Sequence, residues 1–282
     1  MNIGIQQLQL GRTLTSEKKA KEVLCCLKEN GFDSIELNGF MIRKNPFIVK
    51  VLTELGGMPV KKSDRFDWYN LIKESSLSVI SIHEDIKTLE TNLTMVIDEA
   101  KKYNTNYIVL TGNYKFDYSS EASVDSLADR LNAIGRNLKK ENISFLYHNH
   151  NVEFKKINES ELCYDRLISA TDPQYVNFEF DSYWPSVSGV DAIKYMSLLK
   201  DRIKLHHVCD HGSVVTGESI TPIVKFKATE IGKGCLNLEK MIALDRENNV
   251  SSIILEQHKN HINNDPLESA LISLKHLQDL IR

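Results

Sequence analysis

The sequence has no large excess of charge of either sign, and this absence removes several classes of function. Its 35 Lys and Arg residues against 38 Asp and Glu residues give a formal net charge of -3. No block of basic residues is dense enough to follow a phosphate backbone, so we expect no nucleic acid partner. A small polar ligand, uncharged or weakly charged, fits this balance better.

Long apolar runs and a dense set of cysteines are also missing. No run approaches the roughly 20 residues that cross a bilayer. The chain begins with the strand-like Ile3-Gly4-Ile5 instead of the basic segment and long apolar core of a signal peptide. The five cysteines are odd in number and show no Cys-x-x-Cys spacing. We therefore expect free thiols, no membrane partner and a cytoplasmic location.

Short apolar runs alternate with amphipathic stretches along the whole chain. The runs are typical of strands that are buried on both faces. We predict strands over residues 3–8, 34–37, 78–83, 107–110, 143–148, 176–181, 203–208 and 251–256. We predict helices over residues 16–29, 64–75, 89–103, 120–140, 161–170, 189–200, 237–248 and 266–281.

Eight β-then-α units predict an α/β fold, a single (β/α)8 barrel that occupies residues 1–282 as one domain. A doubly wound sheet is the alternative, but Gly11-Arg12-Thr13 does not form the glycine-rich phosphate turn that usually follows its first strand. The connections 39–64 and 209–234 are long, and loops of this length on a compact domain are typical of lids or ligand walls.

Ligand-type side chains follow four of the predicted strands. They are His148, His150, Glu153, Asp181, His207 and Glu256. Because the carboxyl ends of the strands of such a barrel meet on one face, we expect these side chains to converge. Period-two alternation allows Asp181, His207 and Glu256 all to point into the mouth of the barrel.

With Glu153, these three residues predict a site with three oxygen ligands and one nitrogen ligand for a single divalent ion. This set favours Mn²⁺, Mg²⁺ or Co²⁺ and allows Zn²⁺. Such an ion can hold a carbonyl and the neighbouring hydroxyl of a polyol, and it lowers the cost of removing the proton on the carbon between them. We predict that His150 is the base. Its partner His148 is predicted either to contact the metal ligands from behind or to bind substrate. Glu179 is predicted either to contact substrate or to orient a ligand.

Several motifs run in order through the second half of the chain, and Ile82-His83 precedes them. They are His148-Asn149-His150-x-x-Glu153-Phe154, Phe178-Glu179-Phe180-Asp181-x-Tyr183-Trp184, Lys204-x-x-His207-Val208-x-Asp210, Glu230-Ile231-Gly232-x-Gly234 and Glu256-Gln257. Together they resemble the sugar phosphate isomerase/epimerase superfamily, the xylose isomerase-like barrel group that includes inosose dehydratases and lyases acting on 3-keto-glycosides. The resemblance implies proton transfer by His150 and one divalent metal ion held by Glu153, Asp181, His207 and Glu256.

The resemblance leaves two points open. Some relatives carry a glutamate as the fifth-strand ligand at the position of His148, so His148, His150 and Glu153 all remain candidates. Close relatives often have lysine in place of Cys209 and an acidic residue in place of His258; either Lys233 replaces that lysine or the reaction differs. Candidate substrate-binding residues are His83, Glu179, Trp184, Asp210 and Lys233.

The leading hypothesis is a metal-dependent sugar or cyclitol isomerase or epimerase, or a dehydratase or lyase, because all of these begin by removing a proton next to a carbonyl. One alternative is a catalytically silent sugar-binding or regulatory barrel, which Glu256→Gln would separate from an enzyme in which Glu256 is also catalytic. The other is a relative of barrel-type abasic-site endonucleases, which would need more metal ligands and a basic surface. A homo-oligomer stays open, since barrels of this kind commonly pair through the loops around their mouths.

Overall fold

Eight parallel strands close into a barrel in the computed structural model, which describes residues 1–44, 63–113, 115–213, 218 and 221–282. The described residues contain these eight strands and two shorter ones outside the barrel: Asn2–Gln6 (β1), Ser34–Asn38 (β2), Ser78–Glu84 (β3), Tyr107–Leu110 (β4), Ser144–His148 (β5), Val176–Asp181 (β6), Ile203–Val208 (β7), Asp210–Gly212 (β8), Lys227–Thr229 (β9) and Ser252–Leu255 (β10). The short strands β8 and β9 form a separate antiparallel hairpin, and β10 pairs with both β7 and β1 to close the barrel.

Helices follow the strands and cover the outer face of the barrel. They are Glu17–Asn30 (α1), Gly39–Ile42 (α2), Trp68–Ser75 (α3), Ile86–Thr91 (α4), Leu93–Tyr103 (α5), Glu121–Lys139 (α6), Cys163–Ala170 (α7), Tyr183–Val187 (α8), Ala192–Leu199 (α9), Leu238–Glu247 (α10) and Pro266–Ile281 (α11). Local sequence sets their ends. For example, Ser16 caps α1 by accepting the amide of Lys19, and Gly31 ends the helix at a φ of 110° that favours glycine.

The predicted (β/α)8 barrel is confirmed, and each of its eight strands overlaps a predicted one. Two local differences have physical reasons. The helix predicted over residues 89–103 is interrupted at Asn92, whose φ of -135° and ψ of 33° are not helical. The hairpin of β8 and β9 was not predicted, because strands of three residues carry too few positions for a period to show. Residues 45–62, 214–217 and 219–220 of the two long connections lie outside the described residues.

The interior of the barrel is filled by a small apolar cluster that is separate from the larger core between sheet and helices. This cluster consists of Val109, Leu146, Leu205 and Ile254, all fully buried. Because inward positions recur every second residue, the next inward positions after the last three are His148, His207 and Glu256. The apolar cluster therefore lies directly beneath the polar side chains of the barrel mouth, and we call it the floor of the barrel. No helix among the described residues is long and apolar enough to cross a membrane.

Helix α6 gives a test of the close packing around the barrel. A Cβ atom at Gly135 would clash with the main-chain oxygen of Tyr175. Helix propensity alone predicts that Gly135→Ala stabilises the protein by about 1 kcal/mol. We expect the opposite, a loss of about 1 to 3 kcal/mol in the free energy of unfolding, because the neighbouring element is backbone and cannot rotate away. Urea unfolding of the variant measures this change.

Ser126→Ala on the exposed face of the same helix is the matched control, and we expect its effect to stay within about 0.5 kcal/mol. A stabilised Gly135→Ala variant would show that α6 does not approach Tyr175 as closely as described.

Candidate functional site

Four buried ligand-type side chains meet at the carboxyl ends of β5, β6, β7 and β10, and we call them the mouth group. They are His148, Asp181, His207 and Glu256, and their ligand atoms all lie within 4.8 Å of one another. Strand register brings them together, since Asp181 pairs with His207 across β6 and β7. The Glu256 amide continues the β10 ladder by donating to the carbonyl of Val208. The predicted convergence of Asp181, His207 and Glu256 is what the structure shows.

Polar contacts within the mouth group and with Asn149 position its side chains. His207 Nδ1 lies 2.9 Å from Glu256 Oε2, and His148 Nε2 lies 3.9 Å from Asp181 Oδ2. The Asn149 side chain accepts the amide of Asp181 at 3.0 Å and donates to its carbonyl at 2.9 Å. Asn149 thereby ties the end of β6 to the end of β5, so that two of the four side chains have a fixed separation.

The electrostatics of the mouth group favour a bound cation. Burial raises the pKa of Asp181 well above its ordinary value and lowers the pKa of His148. Burial also opposes ionisation of Glu256, but the nearby His258 and His207 outweigh it and hold the pKa of that carboxyl below its ordinary value. A positive ion would relieve the cost of an ionised Asp181. Two carboxylates and two imidazoles form a donor set that fits Zn²⁺, Mn²⁺ or Co²⁺.

A second polar layer lies deeper in the barrel, and we call it the inner group: Glu36, His83 and Glu179. Glu179 Oε2 lies 2.7 Å from His83 Nε2, 2.9 Å from His148 Nδ1 and 3.2 Å from His207 Nε2. Glu36 Oε2 lies 2.9 Å from His83 Nε2 and 2.7 Å from His207 Nε2. The inner group therefore contacts the side of each mouth-group histidine that faces away from the mouth.

Buried charge in the inner group is balanced internally. Burial alone would lower the pKa of His83, but the carboxylates of Glu36 and Glu179 outweigh it and raise that pKa to about 10. The same pairing, with His207 as the strongest partner, holds the pKa of Glu179 well below its ordinary value in spite of its burial. Glu179 is fully buried, so its pairing with histidines is what makes its ionised form tolerable.

Glu153, predicted as the fifth-strand metal ligand, lies apart from the mouth group. The chain leaves β5 and enters a short 3-10 helix, Val152–Phe154. This turn carries the carboxylate behind the strand, where it accepts the hydroxyl of Tyr147 at 2.7 Å and the amide of His150 at 3.0 Å. Tyr147 belongs to the core between sheet and helices. Glu153 therefore stabilises the turn after β5. The residue of this segment that belongs to the mouth group is His148.

The predicted base, His150, lies at the opening beside an aromatic wall. Its ring centroid is 4.8 Å from that of His148 and 5.6 Å from that of Trp184, which is in turn 5.2 Å from His258. Burial, followed by the proximity of His148, lowers the pKa of His150 well below its ordinary value. The ring is therefore neutral near pH 7, which is the form that can accept a proton.

His148 and Glu256 of the mouth group, together with His150, line one cavity of about 190 Å³. Its lining residues are Gln6, Leu8, Asn38, His83, Thr111, His148, His150, Trp184, Glu256 and His258. A second cavity of about 170 Å³ lies on another side of His150, between Thr111, Tyr118 and Val152. Of the predicted substrate-binding residues, His83 and Trp184 line the 190 Å³ cavity, whereas Glu179 is buried beneath it.

Asp210 and Lys233 are not among the residues that line this cavity. Asp210 accepts four main-chain amides, from His211, Gly232, Gly234 and Leu236, at 2.8 to 3.1 Å. These bonds hold the 230–236 turn against β8. Because the amides of Gly232 and Gly234 donate to Asp210, they are not available to bind a phosphate group. Cys209 is buried with its thiol against the main-chain oxygens of Asp210 and Thr229, and burial raises its pKa well above the ordinary value.

Several residues of the site were not predicted as site residues, among them Glu36, Gln6 and Asn38. The Gln6 side chain donates to Glu36 at 2.9 Å and accepts the amide group of Asn38 at 2.6 Å. A signal for the inner group exists in the sequence, since polar side chains alternate at residues 34, 36 and 38 within a strand that is otherwise apolar. His258 is another such residue, and it lies 3.6 Å from Glu256.

Comparison with known proteins agrees with this architecture. The family model described as xylose isomerase-like TIM barrel matches residues 27–280. The chain belongs to this family. Within the xylose isomerase-like barrels, the inosose dehydratase of Clostridium tetani is 27% identical over 173 residues, which cover 57% of this chain and 55% of that enzyme. The match thus spans about half the length of that curated relative.

Solved structures share the fold at low sequence identity. A sugar phosphate isomerase/epimerase from Parabacteroides distasonis has a TM-score of 0.78 and 18% identity, covering 100% of this chain and 95% of its own. The IolI protein, solved with a zinc atom, has a TM-score of 0.64 and 15% identity, covering 100% and 98%. The 3-keto-D-glucoside 4-epimerase YcjR from E. coli has a TM-score of 0.63 and 15% identity, covering 99% of each chain. These likenesses establish the barrel.

The position of Glu153 predicts a specific dependence of stability on pH. Burial raises its pKa from an ordinary 4.5 to about 7. Between these values the unfolded chain releases a proton that the folded chain retains, so the wild-type protein loses stability as the pH rises from about 4.5 to about 7. We expect Glu153→Gln to lack this loss, a difference of about 2 to 4 kcal/mol between pH 5 and pH 8.

Urea unfolding of both chelator-treated proteins at the two pH values measures the difference. Parallel pH profiles for wild type and variant would show that Glu153 ionises normally and that it does not stabilise the turn as a buried carboxyl group.

Proposed function

We propose that this protein is a divalent-metal-dependent enzyme that removes a proton next to the carbonyl of a sugar or cyclitol, leading to isomerisation, epimerisation or loss of water. The observation that carries the proposal is that one cavity is lined both by His148 and Glu256 of the mouth group and by His150, whose pKa is lowered by burial. The names of the relatives, inosose dehydratase and sugar phosphate isomerase/epimerase, agree in chemistry, since such reactions can begin with the same proton removal.

His148, Asp181, His207 and Glu256 would hold the metal ion. When bound, the ion supplies Lewis-acid stabilisation of the negative charge that develops on the carbonyl oxygen. The zinc atom of the IolI protein on the same barrel supports this assignment. Four buried donors without a thiolate leave Zn²⁺, Mn²⁺ and Co²⁺ as the ions to test first.

The remaining cavity residues bind substrate and move its proton. His150 accepts the proton through a ring nitrogen, and its ring is positioned by packing against the rings of His148 and Trp184. Trp184 provides a face on which a sugar or cyclitol ring can stack. Gln6, Asn38 and Thr111 offer amide and hydroxyl groups for the substrate hydroxyls.

The charge of the cavity indicates an uncharged substrate. Among the described residues that line it there is neither lysine nor arginine. A phosphate group is usually bound by such cations or by free main-chain amides. The glycine turn at residues 232–234 does not supply the latter, because Asp210 accepts the amides of Gly232 and Gly234. We therefore propose an unphosphorylated keto-sugar or inosose.

Metal content is the first test of the mouth group. We expect about one divalent ion per chain in wild type, and we expect His148→Ala and Asp181→Asn each to lose it, because each removes one of four donors. Glu153→Gln should retain the ion, because that carboxylate faces Tyr147 and the amide of His150. Elemental analysis and zinc titration of the purified proteins give the answer.

The reverse pattern, with metal lost in Glu153→Gln and kept in His148→Ala, would show that the ligand supplied by the fifth strand and its following turn is Glu153, as the sequence predicts. A wild-type protein that binds no divalent ion would overturn the metal-dependent reaction.

Proton exchange tests the reaction itself. Wild-type protein with Mn²⁺, Co²⁺ or Zn²⁺ should exchange the proton next to the carbonyl of an inosose or a 3-keto-glucoside in deuterated water, observed by proton NMR. We expect His150→Gln to slow this exchange by about 10² to 10⁴ while it retains the metal, since a general base contributes a factor of this size.

The products separate the possible reactions. Loss of water, inversion at the exchanged carbon and migration of the carbonyl give different spectra. Ligand binding without exchange in any of these substrates would instead identify a sugar-binding barrel.

A further inference from the structure

We infer that the buried carboxylate of Glu179, together with Glu36, sets opposite tautomers in the two histidines of the mouth group. His148 would ligate the metal through Nε2 and His207 through Nδ1, and Glu179 would be a positioning residue for both. The inference rests on the proposed metal site, and it assigns a task to two carboxylates that the proposed reaction does not itself use.

His148 is oriented by one short contact. Its Nδ1 lies 2.9 Å from Glu179 Oε2, in hydrogen-bonding geometry, and a carboxylate can only accept, so Nδ1 carries the proton. The other nitrogen, Nε2, is the one that faces the mouth, where it lies 3.9 Å from Asp181 Oδ2. The lone pair of Nε2 is therefore the one directed at the metal position.

His207 is oriented in the opposite sense. Its Nε2 lies 2.7 Å from Glu36 Oε2 and 3.2 Å from Glu179 Oε2. A bare lone pair on Nε2 would face two carboxylate oxygens and be repelled by both, so Nε2 carries the proton. Its Nδ1 lies 2.9 Å from Glu256 Oε2 in hydrogen-bonding geometry, so without an ion this nitrogen can carry a proton as well. A metal ion held between the two groups would take the place of that proton, which makes Nδ1 the ligating nitrogen, while Nε2 still faces the two inner carboxylates.

The same carboxylate oxygen thus faces the protonated Nδ1 of one histidine and the protonated Nε2 of the other. His83 adds a third contact, with Nε2 at 2.7 Å from Glu179 Oε2 and 2.9 Å from Glu36 Oε2, and it fixes where that oxygen lies. A carboxylate behind a metal-ligating histidine fixes the ring and raises the basicity of the ligating nitrogen. Here one carboxylate would do this for two ligands.

A metal ion in the deeper position is the competing arrangement. The ligand atoms of His83, His148, Glu179 and His207 also lie within 4.8 Å of one another. An ion held there would bind Nδ1 of His148 and Nε2 of His207, which is the reverse of our assignment. The identity of the ligating nitrogen on each ring therefore decides between the two arrangements.

The test uses zinc as the probe, because Zn²⁺ is diamagnetic. We would label the histidines with ¹⁵N, load the full chain with one equivalent of Zn²⁺ and record long-range ¹H–¹⁵N spectra. We expect protonated Nδ1 with ligated Nε2 for His148, and protonated Nε2 with ligated Nδ1 for His207. The same ligating nitrogen on both rings, the reversed pair, or a second tightly bound zinc would each overturn the inference.

A substitution tests the positioning role without any assay of turnover. We expect Glu179→Gln to weaken zinc binding by about 10- to 100-fold, because an uncharged side-chain amide cannot replace the carboxylate that faces both rings. Asp245→Asn is the matched control. Asp245 on α10 also pairs with a fully buried histidine of β7, since its Oδ2 lies 2.6 Å from His206 Nδ1. That pair lies on the outer side of β7, so we expect Asp245→Asn to cost stability but to leave zinc affinity unchanged.

The outcomes separate this inference from the proposed function. If wild type binds neither zinc nor any other divalent ion, the metal-dependent reaction fails. If wild type binds zinc and Glu179→Gln binds it equally well, only the positioning role fails. Should Glu179→Gln not fold, the nitrogen assignment in wild type still decides the question.

Discussion

Charged side chains inside a closed barrel must find their partners within it, and this constraint organises the upper half of the molecule. Glu36, Glu179 and His207 are fully buried, away from solvent. An isolated charge at such a place costs several kcal/mol. The carboxylates and imidazoles of neighbouring strands therefore pair with one another across the interior, and the positions of the mouth group follow from that pairing.

Below this polar layer the barrel is filled by four aliphatic side chains, and above it lies the cavity. The order of these layers along the barrel axis follows from the two-residue period of the strands. Leu146 and His148 belong to one inward row, as do Leu205 with His207 and Ile254 with Glu256. A change in any aliphatic member of these rows would tilt the polar residue above it, so packing in the floor and geometry in the site are coupled.

Much of this could be predicted from the sequence, because strands with two buried faces have a strong and simple pattern. The barrel, and the convergence of Asp181, His207 and Glu256, depend only on strand ends and alternation. Glu153 could not be placed in this way, because its direction depends on the 3-10 turn after β5 and on a hydroxyl partner, Tyr147, in the outer core. Asp210 resembled a site residue by motif, yet its carboxylate is used by four loop amides that no pattern reveals.

Two adjacent histidines on β7 have a consequence for how the barrel is assembled. His206 points outward to Asp245 on α10, and His207 points inward to Glu36, Glu179 and Glu256. If β7 paired with its neighbours one residue out of step, both imidazoles would change sides and four buried carboxylates would each lose one histidine partner. Parallel strands in an apolar sheet have few other means of choosing their alignment. The His206-His207 pair therefore makes misaligned pairing of β7 costly during folding, before any ligand is bound.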